Sequence, residues 1–142
     1  MKKVINIIIL IIWLIVIFLF SQQKGNESDK TSGIFNTVIN TIFKDEGTRD
    51  KAKLFVRKCA HFTEYFILAL LIINVLKDYK DINYKYLLLT IIMCMLYAAS
   101  DEWHQTFIEG RVGCVTDVLI DTGGSVIGVI IYKLVKRIKR VK

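Results

Sequence analysis

Three pairs of polar residues stand at helical spacing inside or beside strongly apolar stretches. In RKCAHFTEY, His61 and Glu64 are three residues apart. In SDEWHQTFIEGRVGCVTDVLIDTGG, which begins at Ser100, Asp101 and Gln105 are four apart, and so are Asp117 and Asp121. Residues three or four apart share one face of a helix. A His beside a carboxylate can serve as general base or nucleophile, with the acid orienting it or supplying a proton. Glu64 or Asp101 could be that partner for His61. Arg57 and Arg111 suit a phosphate-bearing group, because the guanidinium fork matches such oxygens two at a time. His61 and Glu64 with Asp101 could also hold a metal, but no metal-ligand spacing supports it, so no metal and no cofactor is expected. The chain contains no Ser nucleophile motif, P-loop or HExxH, which leaves the reaction type open.

The elements that must position these residues are membrane helices. The chain of 142 residues has one domain's length, is 54% hydrophobic and has no Pro, and its mean hydropathy is +0.45. A soluble core of this size has no use for so many long apolar runs. The net charge of +7 sits at the ends of those runs rather than as a basic stripe interleaved with aromatics, which argues against nucleic acid. Four spans follow: about 4–20, 54–76, 86–105 and 115–132, each near the length that crosses a bilayer. None alternates apolar with polar residues, so a β-barrel is excluded. The first span is long for a signal peptide and has no small-x-small cleavage site after it, so it is expected to stay as an anchor. The fold expected is an all-α four-transmembrane-helix bundle forming a single domain.

Lys and Arg on the short flanks set direction. Lys2 and Lys3, then Lys77, Lys80 and Lys85, then the tail from Lys133 to Lys142 all fall on one side, which puts the N- and C-termini in the cytoplasm. The other side holds the loop 21–53 and the turn containing Arg111. In that loop Ile34, Val38, Ile39 and Ile42 have the spacing of a short amphipathic helix lying on the outer surface, against the alternative of a solvated loop. The three cysteines have no CxxC, and Cys94 lies in an apolar run as a packing residue. Cys59 and Cys114 could approach one another, although unpaired packing residues are the expected outcome.

Depth then aligns the polar groups. His61 is 16 residues from Lys77, Asp101 is 16 from Lys85 and Asp117 is 16 from Lys133. At about 1.5 Å per residue, all three stand roughly 24 Å from the inner boundary. Glu64 and Asp121 come out at roughly 18–20 Å, inside the outer half of a hydrocarbon core about 30 Å thick. Arg57 reaches the outer interface. Ionisable groups at such depth are costly unless they face a partner, the bundle interior or a wet cavity. Gly124 and Gly128 continue the Asp117–Asp121 stripe and would let a neighbouring helix approach closely. A polar pocket built by spans two, three and four and open to the outer leaflet is the expected result. Each residue alone has a plain structural explanation: ion pairs that pin helices, Lys58 snorkelling outward, Trp103 and His104 as interfacial anchors. Taken together, the set exceeds what pinning requires.

These residues also resemble a known family. RKCAHFTEY resembles the Arg-Lys-x-x-His-Phe-x-Glu-Tyr motif of the VanZ-like proteins, small bacterial membrane proteins named after a teicoplanin-resistance determinant. The second stretch resembles their Asp-Glu-x-x-Gln-x-Phe, Gly-Arg, Asp-Val-x-x-Asn and Gly series, and FSQQ after the first span is similar to a Ser-Gln often found there. The motif falls on Arg57, Lys58, His61, Glu64 and Tyr65, then on Asp101, Glu102, Gln105, Phe107, Gly110, Arg111, Asp117 and Gly124. Asp121 departs from the pattern by standing where the family has Asn, and Glu109 replaces a frequent Pro. The resemblance implies a multi-pass protein of the bacterial cytoplasmic membrane that binds or modifies a membrane lipid or lipid-linked envelope precursor at the outer leaflet. It further implies lowered susceptibility to teicoplanin-type lipoglycopeptides. His61, Glu64, Asp101 and Glu102 are then the candidate catalytic residues; Arg57, Lys58, Tyr65, Gln105, Arg111, Asp117 and Asp121 would bind the ligand. Two other functions stay open: an intramembrane hydrolase or transferase acting on a phosphate-bearing headgroup, and a small transporter or proton relay.

Overall fold

A computed structural model describes residues 1–22, 39–42, 44–108 and 113–141. Four long helices account for most of them: α1 (Lys2–Ser21), α2 (Glu46–Leu76), α3 (Tyr84–Gln105) and α4 (Val115–Val141). No described residue is in a strand. All four helices are long and apolar enough to cross a membrane. The fold is thus the all-α four-helix arrangement that the apolar runs predict.

The helices outrun the apolar stretches where polar chemistry favours continuation. α2 starts at Glu46 rather than near Leu54, because Asp45 caps it: its carboxylate accepts the Thr48 N–H at 2.9 Å. At 31 residues α2 is about 46 Å long, more than the hydrocarbon core needs, so its polar first turns extend beyond the apolar layer. α3 is capped by Asn83, whose Oδ1 accepts the Lys85 and Tyr86 N–H groups. α4 runs past Tyr132 through the basic tail to Val141.

The surface and interior are the reverse of a water-soluble bundle. Ile8, Ile12, Ile15, Leu19, Leu88, Leu96, Leu119 and Ile130 all lie exposed, while Thr90, Asp101, Glu102, Gln105, Asp121 and Ser125 are buried. Hydrocarbon around the bundle accounts for the first set and the cost of placing polar groups in hydrocarbon for the second. A core of Ile17, Tyr65, Leu68, Ala69, Ile72, Cys94 and Ala98 joins α1, α2 and α3. The first helix is an integral part of that core: Trp13 Nε1 donates to the Glu64 carbonyl at 3.1 Å, and Tyr97 Oη donates to the Leu14 carbonyl at 2.8 Å.

α4 packs most extensively on α2. The reason is Gly124 and Gly128. A Cβ at Gly124 would run into the Phe62 carbonyl oxygen, and one at Gly128 would stand 2.9 Å from the Phe66 carbonyl oxygen. The two backbones therefore meet as in small-xxx-small packing. At one end of the bundle Asn6 donates to Asp78 at 2.6 Å, Lys3 lies 4.7 Å from the Tyr79 ring centroid, and Lys136 donates to the Ile82 carbonyl at 3.1 Å. The three lysine-rich segments thus share one end.

Of the proposed surface helix, residues 39–42 are helical, with Ile39 buried and Ile42 exposed; Ile34 and Val38 lie outside the described residues. All three cysteines are free thiols. Cys94 is the buried packing residue expected, and Cys59 and Cys114 are unpaired, as expected, but exposed.

Candidate functional site

Close packing of α2 on α4 fixes a parallel register. Lys58 Nζ lies 3.2 Å from Asp117 Oδ1, and one turn inward His61 Nδ1 lies 3.8 Å from Asp121 Oδ1. Phe62 against Gly124 and Phe66 against Gly128 continue the same ladder. α3 runs antiparallel to α2, with Arg57 donating to Gln105 Oε1 at 3.3 Å and the Tyr65 and Tyr97 ring centroids 6.3 Å apart. That register sets Asp101 opposite His61. Within α3, Gln105 Nε2 donates to Asp101 Oδ2 at 3.0 Å.

The three helices therefore build one cluster at one level, as the spacing from the basic ends predicts. Arg57, Lys58, His61, Glu64 and Tyr65 come from α2, Asp101, Glu102 and Gln105 from α3, and Asp117 and Asp121 from α4. His61 Nδ1 stands between Glu64 Oε2, at 4.0 Å, and Asp121. The Asp121 carboxyl is fully buried and lies within electrostatic reach of Glu102, Asp101, Glu64 and Asp117. Five carboxyl groups thus share a low-dielectric site with two fixed cations and one imidazole. Lys58 does not snorkel outward; it turns in to Asp117, because an unpaired carboxylate at that depth is costlier than a bent lysine.

Several buried polar atoms are left over. Neither Asp121 oxygen, nor Tyr65 Oη, nor Glu102 Oε1 has a hydrogen-bond partner among the described residues. Buried polar groups are ordinarily satisfied. Their convergence between α2, α3 and α4 leaves a site that can still donate and accept bonds to a guest. Among the described residues, no group of three His, Cys, Asp or Glu side chains could hold a metal ion.

Arg111, with Glu109 and Gly110, lies outside the described residues. Where the chain resumes, Glu102 Oε2 accepts the Cys114 N–H at 2.8 Å, tying the end of α3 to the start of α4. A Cβ on Gly113 would come within 2.6 Å of the Glu102 carbonyl oxygen, so only glycine lets the chain pass there. The exposed Cys114 thiol is held below its ordinary pKa, chiefly by hydrogen bonding to the Thr116 hydroxyl at 2.9 Å.

A family model described as VanZ/LLP1 matches residues 6–136, which include both polar stretches and every member of the cluster. The chain belongs to the VanZ/LLP1 family. No curated protein and no solved structure matches it. With its four apolar helices, this VanZ/LLP1 chain is a multi-pass membrane protein.

Sequence reasoning passed over what α1 brings to this VanZ/LLP1 site. Trp13 binds the backbone of Glu64, and Tyr97, itself tied to α1, lies beside the Tyr65 ring. The signal was available: an indole N–H and a phenol inside apolar runs each need a partner. What the runs could not give is which helix supplies it.

Proposed function

We propose that this VanZ/LLP1 protein acts at the outer leaflet of a bacterial cytoplasmic membrane, with both termini in the cytoplasm. There it binds a membrane lipid or lipid-linked envelope precursor, and so lowers susceptibility to teicoplanin-type lipoglycopeptides. The observation that carries the reading is the meeting of Arg57, Lys58, His61, Glu64, Asp101 and Asp121 from different helices in the half of the bundle away from the lysine-rich end. Positive flanks mark the cytoplasmic side, which puts the cluster within reach of outer-leaflet headgroups. Arg57 and Lys58 at the outer end of the cluster, with Arg111 as a further cation in the sequence between α3 and α4, are the positive charges that a phosphate-bearing headgroup would meet.

The two contacts of His61 Nδ1 favour a catalytic version of this reading. His61, set between two carboxyl groups, has the partners of a general base: it would take the proton of a hydroxyl that attacks a headgroup phosphorus, and the alcohol whose P–O bond breaks would leave with that proton. Binding alone and catalysis differ in one outcome, the lipid composition of cells that make the protein.

The test is a set of single substitutions, His61→Ala, Glu64→Gln, Asp101→Asn and Arg111→Ala, produced at matched membrane levels. Teicoplanin susceptibility should rise toward that of cells lacking the protein. An unchanged lipid profile alongside that loss assigns binding; a lost lipid species assigns chemistry. If all four variants behave as the unsubstituted protein does, the cluster is scaffold and the proposal fails.

A further inference from the structure

The end of the bundle away from the polar cluster is strongly basic. Lys2 and Lys3, the stretch 77–85 and the segment from Lys133 to Lys142 hold eleven of the chain's 20 Lys and Arg, against two of its 13 acids, Asp78 and Asp81. The whole net charge of +7 therefore stands at this end, and the rest of the chain is slightly acidic. Contacts draw the three segments together. Asn6 of α1 bonds Asp78, Lys3 lies over the Tyr79 ring, and Lys136 of α4 donates to the Ile82 carbonyl in the loop between Lys80 and Lys85. Lys77, Lys80, Lys85, Lys133, Arg137 and Lys139 are all exposed, and none is in an ion pair among the described residues. Like charges gathered this way repel, and an anion from outside the chain relieves that repulsion.

The shape of α4 says which anion. At 27 residues α4 is about 40 Å long, about 10 Å more than the hydrocarbon core, and that surplus falls in the headgroup layer. Ile127, Ile130, Ile131, Leu134, Val135 and Ile138 form one exposed apolar stripe that runs on past Lys133. Lys136 is on the other side of the helix, turned to the loop. A segment with apolar side chains along one side and cations along the other belongs where acyl chains meet headgroups, and the anions at that depth are lipid phosphates. We infer that the α4 tail and the loop between α2 and α3 bind the phosphate headgroup of an anionic phospholipid in the leaflet at this end. This second lipid site is independent of the polar cluster. Orientation asks only for a bias of Lys and Arg in the flanks. Cations gathered on one face, with an apolar stripe behind them, go beyond that bias.

The test is amide hydrogen exchange of the purified full chain in phosphatidylcholine vesicles, with and without about one-fifth phosphatidylglycerol. Amides of residues 133–139 should exchange about tenfold more slowly with phosphatidylglycerol, a gain of ~1.4 kcal/mol, and high salt should shrink the difference. Lys133→Gln, Lys136→Gln and Arg137→Gln together should abolish the slowing, since glutamine keeps a similar helix propensity. Arg49→Gln, Lys51→Gln and Lys53→Gln together remove the same charge from the polar start of α2 and should leave the slowing intact. Equal exchange of the unsubstituted protein in the two vesicles overturns the inference, whether or not the tail variant folds. A slowing that survives in the tail variant, or that both triple variants lose alike, overturns it as well. Glycerol phosphate added to the phosphatidylcholine vesicles should slow nothing. An equal slowing there would assign the face to soluble phosphates and overturn the lipid as its partner.

Discussion

His61 Nδ1 of α2 lies 3.8 Å from Asp121 Oδ1 of α4, one turn inward of the Lys58–Asp117 pair and about two turns of α4 outward of the level at which Gly128 meets Phe66. The contact falls between a gripping contact and a packing contact, and is neither. Its distance exceeds that of a good hydrogen bond, and both Asp121 oxygens lack a hydrogen-bond partner among the described residues. Asp121→Asn should therefore change thermal stability by less than about 1 kcal/mol, whereas breaking a buried pair that holds a fold costs about 3–5 kcal/mol. Thermal unfolding in detergent measures this. A loss in the larger range would mean that the pair is structural.

The grip on α4 comes from its glycines. Gly124→Ala drives a methyl group into the Phe62 carbonyl oxygen and should destabilise by about 1–3 kcal/mol, as overpacking does. Gly123→Ala is its control, since the new Cβ would sit 3.9 Å from the Phe62 ring, an ordinary contact. Melting curves of the two variants should separate clearly; equal melting would remove the close approach from the account.

Lys58 and Asp117 have side chains 33% and 17% exposed, so water screens their attraction only in part. A double-mutant cycle of Lys58→Ala and Asp117→Asn should give a coupling of about 1 kcal/mol. Lys58→Ala alone should cost more than the double variant, because it leaves a carboxylate without its cation. Additive costs would show that the pair does not join the helices.

The start of α2 should respond to acid. The Thr48 hydroxyl and then the Thr48 N–H, both bonded to Asp45, hold its carboxyl below the ordinary carboxylate range. A depressed folded pKa means the cap is fully present above the unfolded value, about 4, and is lost as pH falls through the lower folded value. Protection of the amides of residues 46–49 against hydrogen exchange should hold at neutral pH and fall only below that range. Asp45→Asn should remove the pH dependence. Protection that rises on acidification would reverse the sign.

Much of this arrangement was legible in the sequence, for reasons that particular residues make plain. Spacing gave the faces, so His61 with Glu64, Asp101 with Gln105 and Asp117 with Asp121 each appear on one side of a helix, and the lysine ends aligned their depths. Gly124 and Gly128 marked where α4 would press on a neighbour. Spacing says nothing of which helix faces which, so the pairing of Arg57 with Gln105 and Lys58 with Asp117 appears only in three dimensions. Lys58 reads in the sequence either as a ligand-binding residue or as a lysine that snorkels outward, and spacing cannot choose between them because Asp117 is distant in sequence. The length of α2 was missed because hydropathy ends where the apolar layer ends, while Asp45 and Thr48 let the helix continue in water.

The central claim is that the cluster on α2, α3 and α4 is a ligand site. Its most direct test is equilibrium binding of phosphatidic acid to the purified full chain, followed by native mass spectrometry, for the unsubstituted protein and for Arg57→Gln and His61→Ala. The account predicts dissociation constants about tenfold or more higher in both variants, with melting temperatures unchanged. Equal affinity in all three proteins, or weakening that only accompanies loss of the fold, would contradict it.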